Sequence, residues 1–316
     1  MSRYVSCLLV QCFFFCAQAQ YPVDSIPSEE AEKIIRFLAS DSLKGRGNGT
    51  KELTLTADFI ASRFGQAGLQ PLPEAGSFFL PFAARKHAGS AQNNSDTLYN
   101  IVAVLPGRSK PSEMVIFSAH YDHIGEWDGV IYNGANDNAS GTTALLLLAD
   151  YFVRRADNER TIIFCAFAGE EMGLLGSKAF VQTVEPDSIL AVINIEMIGI
   201  TSVGKNAFYM TGAQYSSLQN IFKKNVAGKY KIRSEPDYRK NLFGRSDNFP
   251  FAQKGVPAHT IMASDDDDAC YHQSCDDAKR INIENMTSLV RAIALGSATI
   301  ISGKDTPTRI KPRWLQ

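Results

Sequence analysis

Apolar residues recur along this chain in two rhythms, and the change between them marks its organisation. Over residues 28–39, Ala31, Ile34, Ile35 and Leu38 fall at helical spacing behind two acids, which predicts an amphipathic helix. The glycine-rich stretch 45–49 interrupts it, and a second helix is expected over 52–64, stopped by Gly65 and Gly68. Residues 71–97 are rich in Pro, Gly, Ser and Asn around Phe78-Phe79-Leu80, which predicts an edge strand and a loop. From residue 100, short apolar runs alternate with longer helical patterns. Strands are expected over 101–105, 114–119, 161–167, 189–195, 207–210 and 259–262, and helices over 141–154, 173–182, 215–226, 246–254 and 284–301. This alternation predicts an α/β fold: one globular domain with a central mixed, mostly parallel β-sheet and helices on both faces.

The first residues stand outside that scheme. Residues 1–19 carry one Arg, an apolar run and Ala17-Gln18-Ala19, the pattern of a signal peptide cleaved before Gln20. The run is too short for a full membrane span, so no stable anchor is expected after cleavage. The expected organisation is then 1–19 as signal peptide, 20–97 as N-terminal helices and loop, and 98–316 as core, with 20–316 forming one domain. The export this implies places the protein in the periplasm or outside the cell. A formal net charge of −1 and the lack of a basic patch give no footprint for nucleic acid. Oligomeric state is not readable.

Cleavage would leave three cysteines. Cys165 lies inside an apolar run and is expected to be packed, whereas Cys270 and Cys275 flank His272. A thiolate zinc site is the alternative reading, but a lone pair in an exported chain favours a disulfide that fixes this loop.

Candidate chemistry lies in five islands, each following an apolar run. His120 and Asp122 stand two apart past the strand at 114–119, where an imidazole can bind metal while the carboxylate orients it. His123, of opposite parity, is expected to be a supporting or structural residue. Asp137 precedes the helix at 141 and could bridge two cations; a helix cap is its ordinary alternative, yet Asn138 or Ser140 can serve there. Glu170 and Glu171 follow a buried strand, so that one can coordinate while its neighbour takes a proton from water. Glu196 ends a strand too apolar for an idle acid and must be paired, with a cation or an Arg. His272 completes the set. Nitrogen and carboxylate donors without thiolate suit a hydrolytic metal centre with an open position. The acids Asp265 to Asp268 read as solvated surface, with calcium binding or attraction of a substrate amine as the alternatives.

The segments 120–125, 133–141, 168–177, 194–199, 245–251 and 270–276 resemble, in order and spacing, the motifs of the M28 family of zinc aminopeptidases. Leu-Lys-Gly-Arg at 43–46 and Gly-Leu-Gln-Pro at 68–71 resemble that family's opening segment. The likeness covers nearly the whole mature chain, with no room for a protease-associated insert. It implies a zinc-exopeptidase-like fold and two zinc ions. One would be held by His120, Asp137 and Glu196, the other by Asp137, Glu171 and His272. It further implies Glu170 as general base, Asp122 as orienter of His120, and Tyr271 as a donor to the oxyanion. Many members carry Asp where this chain has Glu196. The activity implied is hydrolysis of the first peptide bond of peptides with a free N-terminus. The alternatives are glutaminyl-cyclase-like acyl transfer on the same scaffold, or an inert binding ectodomain.

Overall fold

A computed structural model describes residues 21–84 and 97–315. The expected signal peptide and much of the loop before residue 97 therefore lie outside the described residues. The chain opens with α1 (Ser28–Leu38) and α2 (Lys51–Ala67), followed by β1 (Phe79–Ala83), β2 (Thr97–Leu105) and β3 (Lys110–His120). A small hairpin, β4 (Gly125–Trp127) and β5 (Val130–Tyr132), precedes α3 (Ser140–Arg155) and β6 (Arg160–Phe167). Then come α4 (Leu175–Phe180), β7 (Ile189–Ile195), β8 (Ala207–Met210), α5 (Leu218–Asn225) and β9 (Lys231–Arg233). The last elements are α6 (Phe249–Ala252), β10 (Ala258–Met262) and α7 (Ile283–Ile301).

Eight strands form one sheet in the order β1-β2-β6-β3-β7-β10-β8-β9. The four in the middle, β6, β3, β7 and β10, run parallel, while β1, β2 and β8 join antiparallel. The expected mixed sheet is thus what forms. Every residue of β6 and β10 is buried, which accounts for the mostly apolar run of β6; the polar His259 and Thr260 of β10 are buried with hydrogen-bond partners. Alternate residues serve opposite layers. Val115, Phe117, Phe164 and Ile193 pack under α1, α2, α3 and α7, whereas Ile116, Ile163 and Val192 pack with Phe180 of α4 and Phe251 of α6. Cys165 is buried and unpaired in the second layer, as its surroundings predict.

Several helices are shorter than their patterns suggested. The helix expected over 173–182 is reduced to α4, because Gly173 and Leu174 both take positive φ and turn the chain before it starts. That over 246–254 is only α6: Ser246 is extended (φ −135°), its carbonyl accepts from the Phe249 N–H across a turn, and helix begins only at Phe249. The hairpin β4–β5 and the edge strand β9 have no clear periodic signal in so few residues. None of the helices among the described residues is long and apolar enough to cross a membrane.

One buried histidine belongs to this framework. His259 of β10 has Nδ1 2.8 Å from the Thr211 carbonyl, so that nitrogen carries the hydrogen; Nε2 accepts from Ser216 Oγ at 2.6 Å. Burial holds its pKa down at about 4, against the slight support of the Thr211 bond. The unfolded chain therefore takes up this proton first, and the stability it carries is whole above about pH 6.5 and lost as pH falls toward 4. The full effect is about 3 kcal/mol. Urea unfolding at pH 7 and pH 4.5 should show wild type losing markedly more stability than His259→Gln over that interval. Equal losses in the two proteins would refute the assignment.

Candidate metal centre

The parallel strands β6, β3, β7 and β10 end on one side of the sheet, and each delivers acidic or imidazole side chains there. His120 is the last residue of β3, Glu196 directly follows β7, and Glu170 and Glu171 follow β6 after a turn at Gly169 (φ +71°). Asp137 comes from the segment before α3, and His272 from the loop between β10 and α7. The Asp137–Asn138 peptide is cis.

Two groups of donors form around Asp137. His120, Asp137 and Glu196 make one; His123, Asp137, Glu171 and His272 make the other, with donor atoms within 4.8 Å of one another in each. Asp137 Oδ1 lies 3.3 Å from His120 Nε2, and Oδ2 lies 3.1 Å from His272 Nε2. His272 Nε2 is also 3.3 Å from Glu171 Oε2, and His120 Nε2 is 4.0 Å from Glu196 Oε1. Despite these short distances, both Nε2 atoms are buried without a hydrogen-bond partner. The two facts agree if imidazole and carboxylate aim at a shared point rather than at each other. Edges of a tetrahedral zinc site measure about 3.3 Å, so the donor set fits two such ions.

The structure also places residues whose parts were not legible. His123, expected to be a supporting or structural residue, joins the second group with Nδ1 2.9 Å from Glu171 Oε1. Gly134 (φ +56°) makes room for it, since a Cβ there would lie 2.5 Å from the His123 ring. Asp122 lies beside His120, with Oδ1 3.8 Å from its Nδ1. Its carboxylate accepts from the backbone N–H groups of Glu170 (3.2 Å) and Glu171 (3.3 Å) and from Asn48 Nδ2 (2.6 Å). His120 Nδ1 is closer to the Asp122 carbonyl, 3.2 Å, than to its carboxylate, 3.8 Å. Asn138 Oδ1 accepts from the Gly141 N–H at 3.0 Å, so it caps α3; the Ser140 hydroxyl is spent on the Asn136 carbonyl at 2.7 Å. The buried Asp276 carboxylate receives the backbone N–H groups of Asn136 and Asp137, tying the Asp137 segment to the His272 loop. In that loop Cys270 and Cys275 are joined, Cα to Cα 5.4 Å, and the Tyr271 ring stacks on His272 with centroids 3.9 Å apart.

Arg46, within the Leu-Lys-Gly-Arg segment, is buried beneath all this. Its guanidinium donates to the carbonyls of Tyr121 (2.9 Å), Leu38 (2.7 Å), Asn133 (2.5 Å) and Gly134 (2.9 Å). Burial brings its pKa down to about 10, with Asp276, Asp122, Asp137 and Glu171 opposing, so it stays charged at neutral pH.

Electrostatics divide the acids. Burial, reinforced by Glu196, Glu171 and Asp247 and opposed by His120, pushes the Glu170 carboxyl well above the usual range. Burial likewise raises Glu196 to about 7 and Asp247 to about 6. Asp137 is lowered despite burial by the adjoining imidazoles of His120, His272 and His123; Glu171 is brought to about 2, against burial and the Asp137 charge, by His123 and His272. Glu170 belongs to neither donor group, although it borders the same cleft.

That cleft, about 390 Å³, is lined by Glu170, Glu171, Met197, Leu242, Arg245, Met262 and Tyr271 among others. A slightly larger cavity, about 460 Å³, lies by Tyr21 and α2, where Arg63 is already paired with Glu30 and Asp150; it has no donor cluster. The acids at 265–268 are likewise satisfied from within. Lys240 Nζ sits 3.4, 2.8 and 2.6 Å from Asp265, Asp266 and Asp267, the place a cation would take, and Arg280 holds Asp268.

A parallel-centred α/β sheet with paired His/carboxylate groups at its carboxyl edge defines the class: a zinc-exopeptidase-like fold with a candidate two-metal centre. Residues 100–296 match the model of peptidase family M28, and the chain belongs to that family. The leupeptin-inactivating enzyme 1 of Streptomyces exfoliatus is 29% identical over 237 residues, 67% of this chain and 50% of that protein. A probable leucine aminopeptidase of Trichophyton verrucosum is 29% identical over 218 residues, 66% of this chain and 58% of that protein. The chain thus spans about half the length of these relatives. The solved zinc aminopeptidase of Bacillus subtilis superposes with a TM-score of 0.68 at 16% identity, covering 87% of this chain and 95% of that one. Glutaminyl cyclase of Porphyromonas gingivalis gives 0.67 at 16%, covering 87% and 99%, so the fold alone is shared by both chemistries.

Arg46→Lys should destabilise the protein by about 3 kcal/mol or more, because a lysine cannot reach four carbonyls fixed for a planar fork and leaves buried acceptors unpaired. Denaturant unfolding checks this, and a change under about 1 kcal/mol would contradict the account.

Proposed function

We propose that this chain is an exported zinc aminopeptidase that hydrolyses the first peptide bond of peptides with a free N-terminus. The observation that carries the reading is Asp137, whose two oxygens face two different imidazole nitrogens that are buried without a hydrogen-bond partner. His120, Asp137 and Glu196 would hold one zinc ion, and Asp137, Glu171 and His272 the other. When bound there, the pair would polarise the substrate carbonyl and make water acidic enough to lose a proton near neutral pH.

The chain's own groups then do the rest. Glu170, next to the donor groups but outside them, accepts the proton of the attacking water and returns it to the leaving amine. Its raised pKa suits that transfer, because a base works best when its affinity for the proton lies near the operating pH. Asp122 holds the Glu170-Glu171 turn by accepting both backbone N–H groups, which fixes where the base and the ligand point. Tyr271, stacked on His272 and lining the cleft, supplies a hydroxyl to the developing oxyanion. The Cys270–Cys275 link clasps the loop that carries both, as befits an oxidising compartment.

The family and its aminopeptidase relatives support peptide hydrolysis, and two complete donor groups favour it over cyclisation. A panel of aminoacyl-anilides, run with an N-terminal glutamine peptide as cyclase substrate, tests this. Activity should vanish on chelation and return with zinc. Glu170→Gln should bind both ions yet turn over about 10²- to 10⁴-fold more slowly. Cyclisation without hydrolysis, or full activity in Glu170→Gln, would overturn the reading.

A further inference from the structure

Three successive aspartates after β10, Asp265, Asp266 and Asp267, turn their carboxylates onto one point, with oxygens within 4.8 Å of one another. This cluster is separate from the donor groups around Asp137. Acids gathered so closely repel one another unless a cation stands among them. Here the cation is Lys240, from the loop between β9 and α6, with Nζ 3.4, 2.8 and 2.6 Å from the three in turn. Nζ is covered from solvent and yet makes no hydrogen bond of good geometry; Asp266 Oδ1 beside it is in the same condition. The ammonium is thus held as a point charge, much as an oxygen cage holds a metal ion. We infer that Lys240 is a positioning residue, a tethered cation that does the work of a bound divalent ion and pins one wall of the substrate cleft. Its effect on substrate rests on the aminopeptidase reading; the pin itself does not.

The segment 240–245 shows what is held. Asp266 is gripped twice, through Oδ1 by Lys240 and through Oδ2 by Arg245 Nη1 at 2.7 Å. Between those two cations lie Leu242 and Gly244, which line the cleft together with Arg245. Leu242 and Phe243 are buried and seat the middle of the segment, so the two ion pairs fix its ends. From the other side, Asp265 Oδ1 also accepts from the Asp267 N–H at 3.0 Å, which curls the acidic run around the ammonium. Asp268 takes no part, because Arg280 holds it.

Burial works against the ammonium, yet Asp266, Asp267 and Asp265 raise its pKa above the usual lysine range, so it keeps its charge at any working pH. A free ion in this place would come and go with its concentration. A lysine's charge comes with the chain, and the wall it pins stands without calcium.

Exchanging one cation for the other tests this. Zinc-loaded wild type, Lys240→Ala and the double variant Lys240→Ala/Asp267→Asn are followed by thermal unfolding and by calorimetric titration with calcium chloride, with magnesium chloride for comparison. The Tm of wild type should ignore calcium. Lys240→Ala opens the space and leaves the acids, so it should melt lower, bind one calcium ion with a Kd of about 0.1 to 1 mM, and regain its Tm as calcium saturates it. Its KM for an aminoacyl-anilide should rise about tenfold with little change in kcat, and fall back with calcium. The double variant should melt low and take up no calcium. Lys240→Gln decides stability and KM should the alanine variant fail to fold. Wild-type Tm and KM in the variants without the charge would overturn the pin. A destabilised Lys240→Ala that binds no calcium, or a wild type that calcium stabilises equally, would overturn the exchange of cations. A wild type that hydrolyses no anilide would instead sink the aminopeptidase reading, while melting and calcium titration still decide the pin.

Discussion

Carboxylates taken out of water beside one another repel, and that repulsion is the constraint around which this structure is arranged. Asp122, Asp137, Glu196, Asp247 and Asp276 are all buried near one edge of the sheet, with Glu170 and Glu171 beside them. Burial of ionised acids is tolerable only with opposite charge and donated hydrogen bonds. The chain supplies part of that: the guanidinium of Arg46 from below, and backbone N–H groups to Asp122 and Asp276. Between the two halves of the cluster it places imidazoles. The imidazoles of His120 and His272 converge there with their Nε2 atoms unspent.

Loop geometry follows from the same need. Segments from distant parts of the chain must present main-chain groups to one small volume, so each is pinned to the next. Asn138 joins the Asp137 segment to the end of β7 through the Ile195 carbonyl and the Met197 N–H. Asn136 reaches Gly199 and Ser264, and Asp276 closes the circuit from the other side. The sheet sets the direction of the ligands, and these amide and carboxylate stitches set their separation. The positions of the acids thus depend on residues that never face the cleft.

The sheet was legible because buried parallel strands leave mostly apolar runs, as β6 and β7 do, while β10 is shorter and carries His259 and Thr260. The ends of those runs likewise located His120, Glu170, Glu171 and Glu196, since an acid or imidazole there has nowhere to go but the cleft edge. His123, expected to be supporting or structural, does bond Glu171, but β3 ends at His120 and parity beyond it could not say which acid it meets. Arg46, Asp276 and Ser246 lie within the matched segments, where spacing gives them no part to play. Their partners are backbone carbonyls, backbone N–H groups or a hydroxyl network assembled from far along the chain, and no spacing rule records those. The acidic run at 265–268 was read as surface, calcium site or amine trap; Lys240, tens of residues earlier, already occupies its middle.

The span from Arg46 to Asp276 has a bearing on assembly. The guanidinium that braces the centre comes from one end of the fold, and the imidazole and carboxylate that complete it come from the other. A growing chain therefore holds Arg46 first, then His120, Asp137, Glu171 and Glu196, and only afterwards His272 and Asp276. Until the loop at 270–276 arrives, Asp137 has the His120 side of its surroundings alone. In the order of its residues, the cluster is closed by the segment that is joined to it last.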